Sequence, residues 1–145
     1  MTTWDSFVVV DWSGGNDTGR KPRKDAIWAG AVLADVEQEP VYLRNREIAY
    51  QWLCDLIRRE RASDRRVMIG FDFPFGYPMG FAAALTGSSD PLKLWDWFAD
   101  HLDDAPDGNN RFALAGEINA LWPGVGPFWF NATKDEIPHL PRKGR

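Results

Sequence analysis

The sequence predicts an α/β fold: a mixed sheet in the order β-β-β-α-β, with additional helices in the second half. Three observations carry this. Phe7–Gly15, FVVVDWSGG, is a β-branched run that ends in a carboxylate and a glycine pair, the pattern of a strand buried on both faces. Val67–Pro78, VMIGFDFPFGYP, repeats the pattern with Asp72 at its end. Between them Ile48, Ala49, Trp52, Leu53, Leu56 and Ile57 recur at helical spacing.

The elements follow in order. Phe7–Trp12 is the first strand, and Gly14–Lys24 is a loop rich in Gly, Asn, Asp and basic residues. Ala26–Val36 reads as a second strand and Pro40–Arg44 as a short third one, joined by short links as an antiparallel meander. Asn45 caps a helix from Arg46 to about Arg61. Val67–Phe73 is the fourth strand, reached by a right-handed crossover. Ser89 or Asp90 with Pro91 starts a second helix that runs to about Asp104. After the turn APDGNN, Asn109 or Asn110 caps a third helix to about Leu121. GPFWF is a candidate short strand, and the remainder is polar and contains proline. We read 1–145 as a single domain with a core in 1–80 and a helical, aromatic segment in 81–145.

The composition bounds the function. The chain has 145 residues, is 44% hydrophobic, and carries eight Trp and nine Phe, so a real core forms. A net charge of −4 argues against wholesale binding of nucleic acid by bulk charge. A lone Cys54 excludes an internal disulfide and reads as a buried core thiol. With no basic and apolar leader and no membrane-length apolar run, a cytoplasmic protein that does not enter a membrane is expected. His101 and His139 lack partners at zinc-ligand spacing.

The candidate site lies at the ends of the two long apolar runs. If those strands are neighbours, Asp11 and Asp72 face each other at one end of the sheet, where ligands bind in open sheets. Clustered carboxylates with an open face suit Mg²⁺ or Mn²⁺. Ser13, Gly14 and Gly15 form a turn whose backbone N–H groups suit an anion, with Arg20, Lys21, Arg23 and Lys24 beside it. The cluster Arg58–Arg66 reads as a solvated face. Phe71 and Phe73 read as core, and Phe75 and Tyr77 as packing or stacking residues.

This ordered set resembles the ribonuclease H-like superfamily, in which an acidic residue of the first helix completes a metal site with two strand carboxylates. The resemblance implies Asp11, Glu47 and Asp72 as catalytic metal ligands for Mg²⁺ or Mn²⁺. GFDFPFGYP resembles more specifically an uncharacterised family of predicted RNase H-like nucleases, a domain of unknown function. The chain is similar to the N-terminal part of such proteins, over roughly residues 5–80. It departs from them in lacking a clear fifth strand and late acidic helix, as in a shortened or rearranged form. Glu117, Asp135 and Glu136 are the candidates for a fourth ligand.

The first loop, DWSGGNDTGRK, also looks like the phosphate loop of the actin-like kinase and Hsp70 superfamily. That resemblance implies phosphate contacts from Ser13, Gly14, Gly15 and Arg20 or Lys21, although those proteins need two such halves. The expected function is divalent-metal-dependent phosphodiester hydrolysis of a nucleic acid. The alternatives are a nucleotide-binding module and a non-catalytic interaction domain. Trp122, Phe128, Trp129 and Phe130 would then form an apolar patch suited to homodimerisation.

Overall fold

Strand β1, Ser6–Asp11, alternates strictly between buried and exposed positions, and this alternation defines the two faces of the main sheet. The computed structural model describes residues 4–14, 17–105, 108–124 and 126–142. The chain divides into two compact units, Met1–Phe75 and Gly76–Arg145.

In the first unit β1 is the inner strand. It pairs antiparallel with β2, Ile27–Leu33, and parallel with a later strand, Val67–Phe71. The far edge of β2 carries two short strands, β3 (Val36–Glu37) and β4 (Val41–Arg44). Numbering Val67–Phe71 as β5, the order is β3-β2-β1-β5, with β4 beside β2. Helix α1, Arg46–Ala62, links β4 to β5. Its cap is Asn45, whose side chain accepts the Ile48 N–H at 3.1 Å. The fold is therefore α/β with a mixed sheet, as expected.

The predicted second strand is shorter in the structure, because Ala34 and Asp35 have φ of +49° and +65°. Left-handed φ at both central residues makes a type I′ hairpin turn, which splits the run AVLADV into two strands. Pro40 lies in the gap between β3 and β4, where a missing N–H interrupts the ladder. The fourth strand ends at Phe71 rather than Phe73.

Among the described residues the core of this unit lies on one face, so β1 is not buried on both faces as its β-branched run suggests. Val8, Val10, Ile27, Ala29 and Leu43 pack against Ala49, Leu53 and Leu56 of α1. Trp12 and Phe71 join that cluster, and Phe73 packs edge-on against Trp12 at 5.7 Å. The opposite face carries exposed Phe7, Val9, Val32 and Met68. Cys54 is half-buried rather than fully buried, and its thiol, one helical turn from Tyr50, pushes that tyrosine's pKa up.

The end of α1 holds a buried charge. Glu60 is 3% exposed. It takes a bidentate pair from Arg65, Nε to Oε2 at 2.8 Å and Nη2 to Oε1 at 2.7 Å. Ser6 donates its hydroxyl to the same carboxylate at 2.6 Å, and the Ala34 N–H donates to Ser6 Oγ at 3.1 Å. One carboxylate thus ties α1 to β1 and to the β2–β3 turn. The Arg58–Arg66 stretch is therefore not simply a solvated face.

In the second unit, α2 spans Phe81–Thr86, α3 Pro91–His101 and α4 Arg111–Asn119. Asp90 caps α3, its carboxylate accepting the Leu92 N–H at 2.9 Å, with Pro91 in the first turn as expected. The APDGNN turn is flanked by a minimal hairpin, β6 (Asp104–Ala105) with β7 (Gly108–Asn109). Phe81, Leu94, Phe98, Leu114 and Ile118 form the core, with Trp122 and Phe128 packed on it. GPFWF is not a strand. Its Phe128 is held instead by the buried amide of Asn119, which donates to the carbonyls of Phe128 (2.6 Å) and His139 (2.8 Å) and accepts the Phe128 N–H at 2.9 Å. Among the described residues no helix is long and apolar enough to cross a membrane.

Two outcomes test these anchors. Arg65 and Ser6 hold the Glu60 carboxyl down at about 2, below the ordinary glutamate value of 4.5. Its stabilisation is complete above the unfolded value and is lost as pH falls from 4.5 toward 2. Glu60→Gln is expected to cost about 3 kcal/mol at neutral pH and to flatten the acid limb of a denaturation series. A Cβ at Gly116 would meet the Pro138 carbonyl oxygen at 2.4 Å. Gly116→Ala should therefore cost about 2 kcal/mol by overpacking and should raise amide exchange at Phe128.

Candidate functional site

The parallel register of β1 and β5 builds the site. Val10 lies beside Phe71 in the ladder, so Asp11 and Asp72 are the next residues on adjacent strands, about 4.8 Å apart in backbone spacing. Both are exposed. Val10 and Phe71 belong to the core cluster, so alternation turns Asp11 and Asp72 to the opposite, open face. The Trp12 N–H donates to Asp72 Oδ1 at 2.8 Å and locks the second carboxylate against the end of the first strand.

Glu47 stands apart from this pair. It is exposed in the first turn of α1, a helix packed on the other face of the sheet. Its Oε1 accepts from Gln51 Nε2 at 3.0 Å. Among the described residues no group of three or more His, Cys, Asp or Glu is placed to hold a metal ion. The structure thus brings together Asp11 and Asp72 but not the three-carboxylate set. Glu117, Asp135 and Glu136 are exposed residues of the second unit.

The loop after β1 is tied down by its own polar groups. Ser13 donates its hydroxyl to the Asp25 carbonyl at 2.7 Å. The carbonyl of Gly14 accepts from Arg46 at 2.8 Å. Gly15 lies outside the described residues. Arg20, Lys21 and Lys24 are exposed, while Arg23 pairs with Asp17 at 3.4 Å.

Asp17 organises this loop, and sequence reasoning missed it. It is 7% exposed. Its carboxylate accepts the Tyr42 hydroxyl and, at 3.0 Å, the Gly19 N–H. Arg44 donates to the Gly19 carbonyl, and Asn45 Nδ2 to the Asp17 carbonyl at 3.3 Å. The Tyr42 hydroxyl is the main cause of a lowered Asp17 pKa, and the same bond raises that of Tyr42. The loop is thereby strapped to β4 and the start of α1.

A second feature of the open face was also missed. Asp11 is opposite Trp28 on β2, and Trp28 is opposite Tyr42 on β4. The row across the sheet end is therefore Asp72, Asp11, Trp28, Tyr42. The Trp28 and Tyr42 rings lie 4.8 Å apart at 42°, and the Arg44 guanidinium sits 5.3 Å from the Tyr42 ring. Trp28 Nε1 donates to the Arg23 carbonyl at 3.2 Å, which fixes the indole.

The expected aromatic residues divide differently. Phe75 packs on Phe71 and Phe73 at 5.7 and 5.4 Å. Tyr77 stacks on Phe81 at 4.8 Å. Trp122 and Phe128 are absorbed into the second core, while Trp129 and Phe130 remain exposed. His101 is exposed and stacks on Trp97 at 3.9 Å.

The strap makes a testable prediction. Tyr42→Phe removes the hydroxyl that Asp17 accepts and that the Arg23 N–H uses at 3.2 Å. Amide exchange at Gly19 and Arg23 should rise about tenfold with little change in the core strands. No known family model matches the sequence, and comparison with curated proteins and with solved structures returns no significant similarity.

Proposed function

We propose that the chain is a divalent-metal-dependent phosphodiester hydrolase on an RNase H-like scaffold, acting on nucleic acid through Asp11 and Asp72. The observation that carries this is the parallel β1–β5 register, which sets two carboxylates abreast at the ends of an inner strand and the edge strand beside it. The strand order β3-β2-β1-β5, with a helix between the meander and β5, supports the scaffold.

The donor set fits a hydrated ion. Mg²⁺ and Mn²⁺ prefer oxygen ligands, and Mg²⁺ in particular keeps several waters while binding through one or two carboxylates and substrate phosphate oxygens. Asp11 and Asp72 supply two carboxylates on an exposed edge. The Trp12 N–H occupies one lone pair of Asp72 Oδ1 and fixes its orientation, leaving the other carboxylate oxygen for an ion. When bound, a divalent ion supplies charge stabilisation at a phosphate under attack. Asp11 and Asp72 would hold it and set its position. Arg20, Lys21 and Lys24 offer cations for the flanking backbone. Glu47 has no part in this proposal.

Mn²⁺ titration by calorimetry tests it. Binding in the micromolar range is expected, weakened tenfold or more by Asp11→Asn and by Asp72→Asn and unchanged by Glu47→Gln. Because Asn is nearly isosteric with Asp, both strand variants should keep the parent thermal midpoint. Absence of Mn²⁺ binding by the folded parent chain, or equal affinity in all three variants, would overturn the proposal.

A further inference from the structure

The row that holds Asp72 and Asp11 continues into two aromatic rings, and their placement says what the site would accept. Trp28 is the direct cross-strand partner of Asp11. Cross-strand partners share a face, with Cβ atoms about 5 Å apart. Trp28 is half-buried and is absent from the core cluster beneath the sheet. It leans on Tyr42 at 4.8 Å, and the carbonyl of Arg23 holds its indole N–H. Tyr42 is in turn held through its hydroxyl by Asp17. Each polar atom of the two rings thus has a protein partner, and because both rings are only half-buried, part of each stays within reach of a ligand. The exposed cations Arg20, Lys21 and Lys24 belong to the loop that Asp17 straps to β4.

We propose that Trp28, supported by Tyr42, is a stacking platform for an unpaired nucleobase, so that single-stranded nucleic acid is the substrate class of this site. The inference rests on the phosphodiesterase reading for its chemistry but not for its binding. A base on Trp28 would place its own phosphate beside Asp11, and the cations of the loop would take neighbouring phosphates. A base paired in a duplex has its faces covered by its neighbours and cannot use the platform. The preference for single strands follows from geometry, and stacking of this kind tolerates any base.

The test is fluorescence anisotropy with labelled octathymidylate, an abasic strand of equal length and a blunt duplex, each in EDTA and in Mn²⁺. A ribo-oligouridylate probe runs alongside to separate the two sugars. The parent chain should bind the thymidylate or uridylate strand about tenfold tighter than the abasic strand. The duplex should bind no tighter than the abasic strand. Trp28→Leu should erase the base-dependent difference while leaving Mn²⁺ affinity and abasic binding unchanged. Trp28→Phe, which keeps a π face, should retain part of the difference. The comparison of strands on the parent chain needs no variant, so the test survives if Trp28→Leu fails to fold. Equal affinity for base-bearing and abasic strands, a duplex bound as tightly as the single strand, or full discrimination in Trp28→Leu would each overturn the platform. Discrimination that persists without any Mn²⁺ binding would support the platform while sinking the metal site.

Discussion

Everything in the first unit depends on β1 having a partner on each side. Its antiparallel partner β2 and its parallel partner β5 use both edges of its backbone. Only then does strict alternation along SFVVVD have consequences across several strands. Ser6, Val8 and Val10 go to the helix-covered face and Phe7, Val9 and Asp11 to the other. A slip of one residue against β5 would exchange the two sets. It would bury Asp11 against Leu53 and Leu56 and expel Val10. The burial of apolar side chains beneath the sheet therefore fixes the position of the polar pair above it.

The buried Glu60 reinforces that register at the opposite end of the strand. Ser6 is the first residue of β1, and its hydroxyl reaches a carboxylate on the last turn of α1. A buried charge is costly unless fully satisfied. Here Arg65 and Ser6 supply three donors to it. The second unit uses the same logic without charge. Asn119 satisfies three backbone groups of an irregular segment that no strand ladder could serve.

Much of this was legible in the sequence because it depends on periodicity. The β-branched run of Phe7–Trp12, the helical spacing from Ile48 to Ile57 and the Asp90–Pro91 start of α3 are local signals, and the structure contains each element, although the run is buried on one face and not on both. The pairing of Asp11 with Asp72 follows from two similar runs being neighbours. What escaped was set by register or by tertiary contact. Ala34 and Asp35 adopt left-handed φ with no Gly or Asn at either position, so the turn left little trace in the sequence. Without that turn Trp28 could not be aligned with Tyr42. Glu60 lay hidden in a run of charges, and only the fold shows that Ser6 approaches it. Asp17 looked like an ordinary loop residue because its main partner, Tyr42, is on another strand. Glu47 came in through the family resemblance, which does not tell which face of the sheet this helix covers.

The parallel pairing of β1 also bears on how the chain is made. The hairpin of β1 and β2 closes over the fifteen residues between Asp11 and Ile27, so it can form once Leu33 has left the ribosome. The Asp72 carboxylate that receives the Trp12 N–H is sixty residues downstream of that donor. Until Val67–Phe71 leaves the ribosome, the three consecutive valines of β1 present a bare backbone edge. Such an edge is a template for any extended segment nearby, including the same segment of another nascent chain. The late arrival of β5 therefore sets an interval in which that edge of β1 is open to wrong pairing.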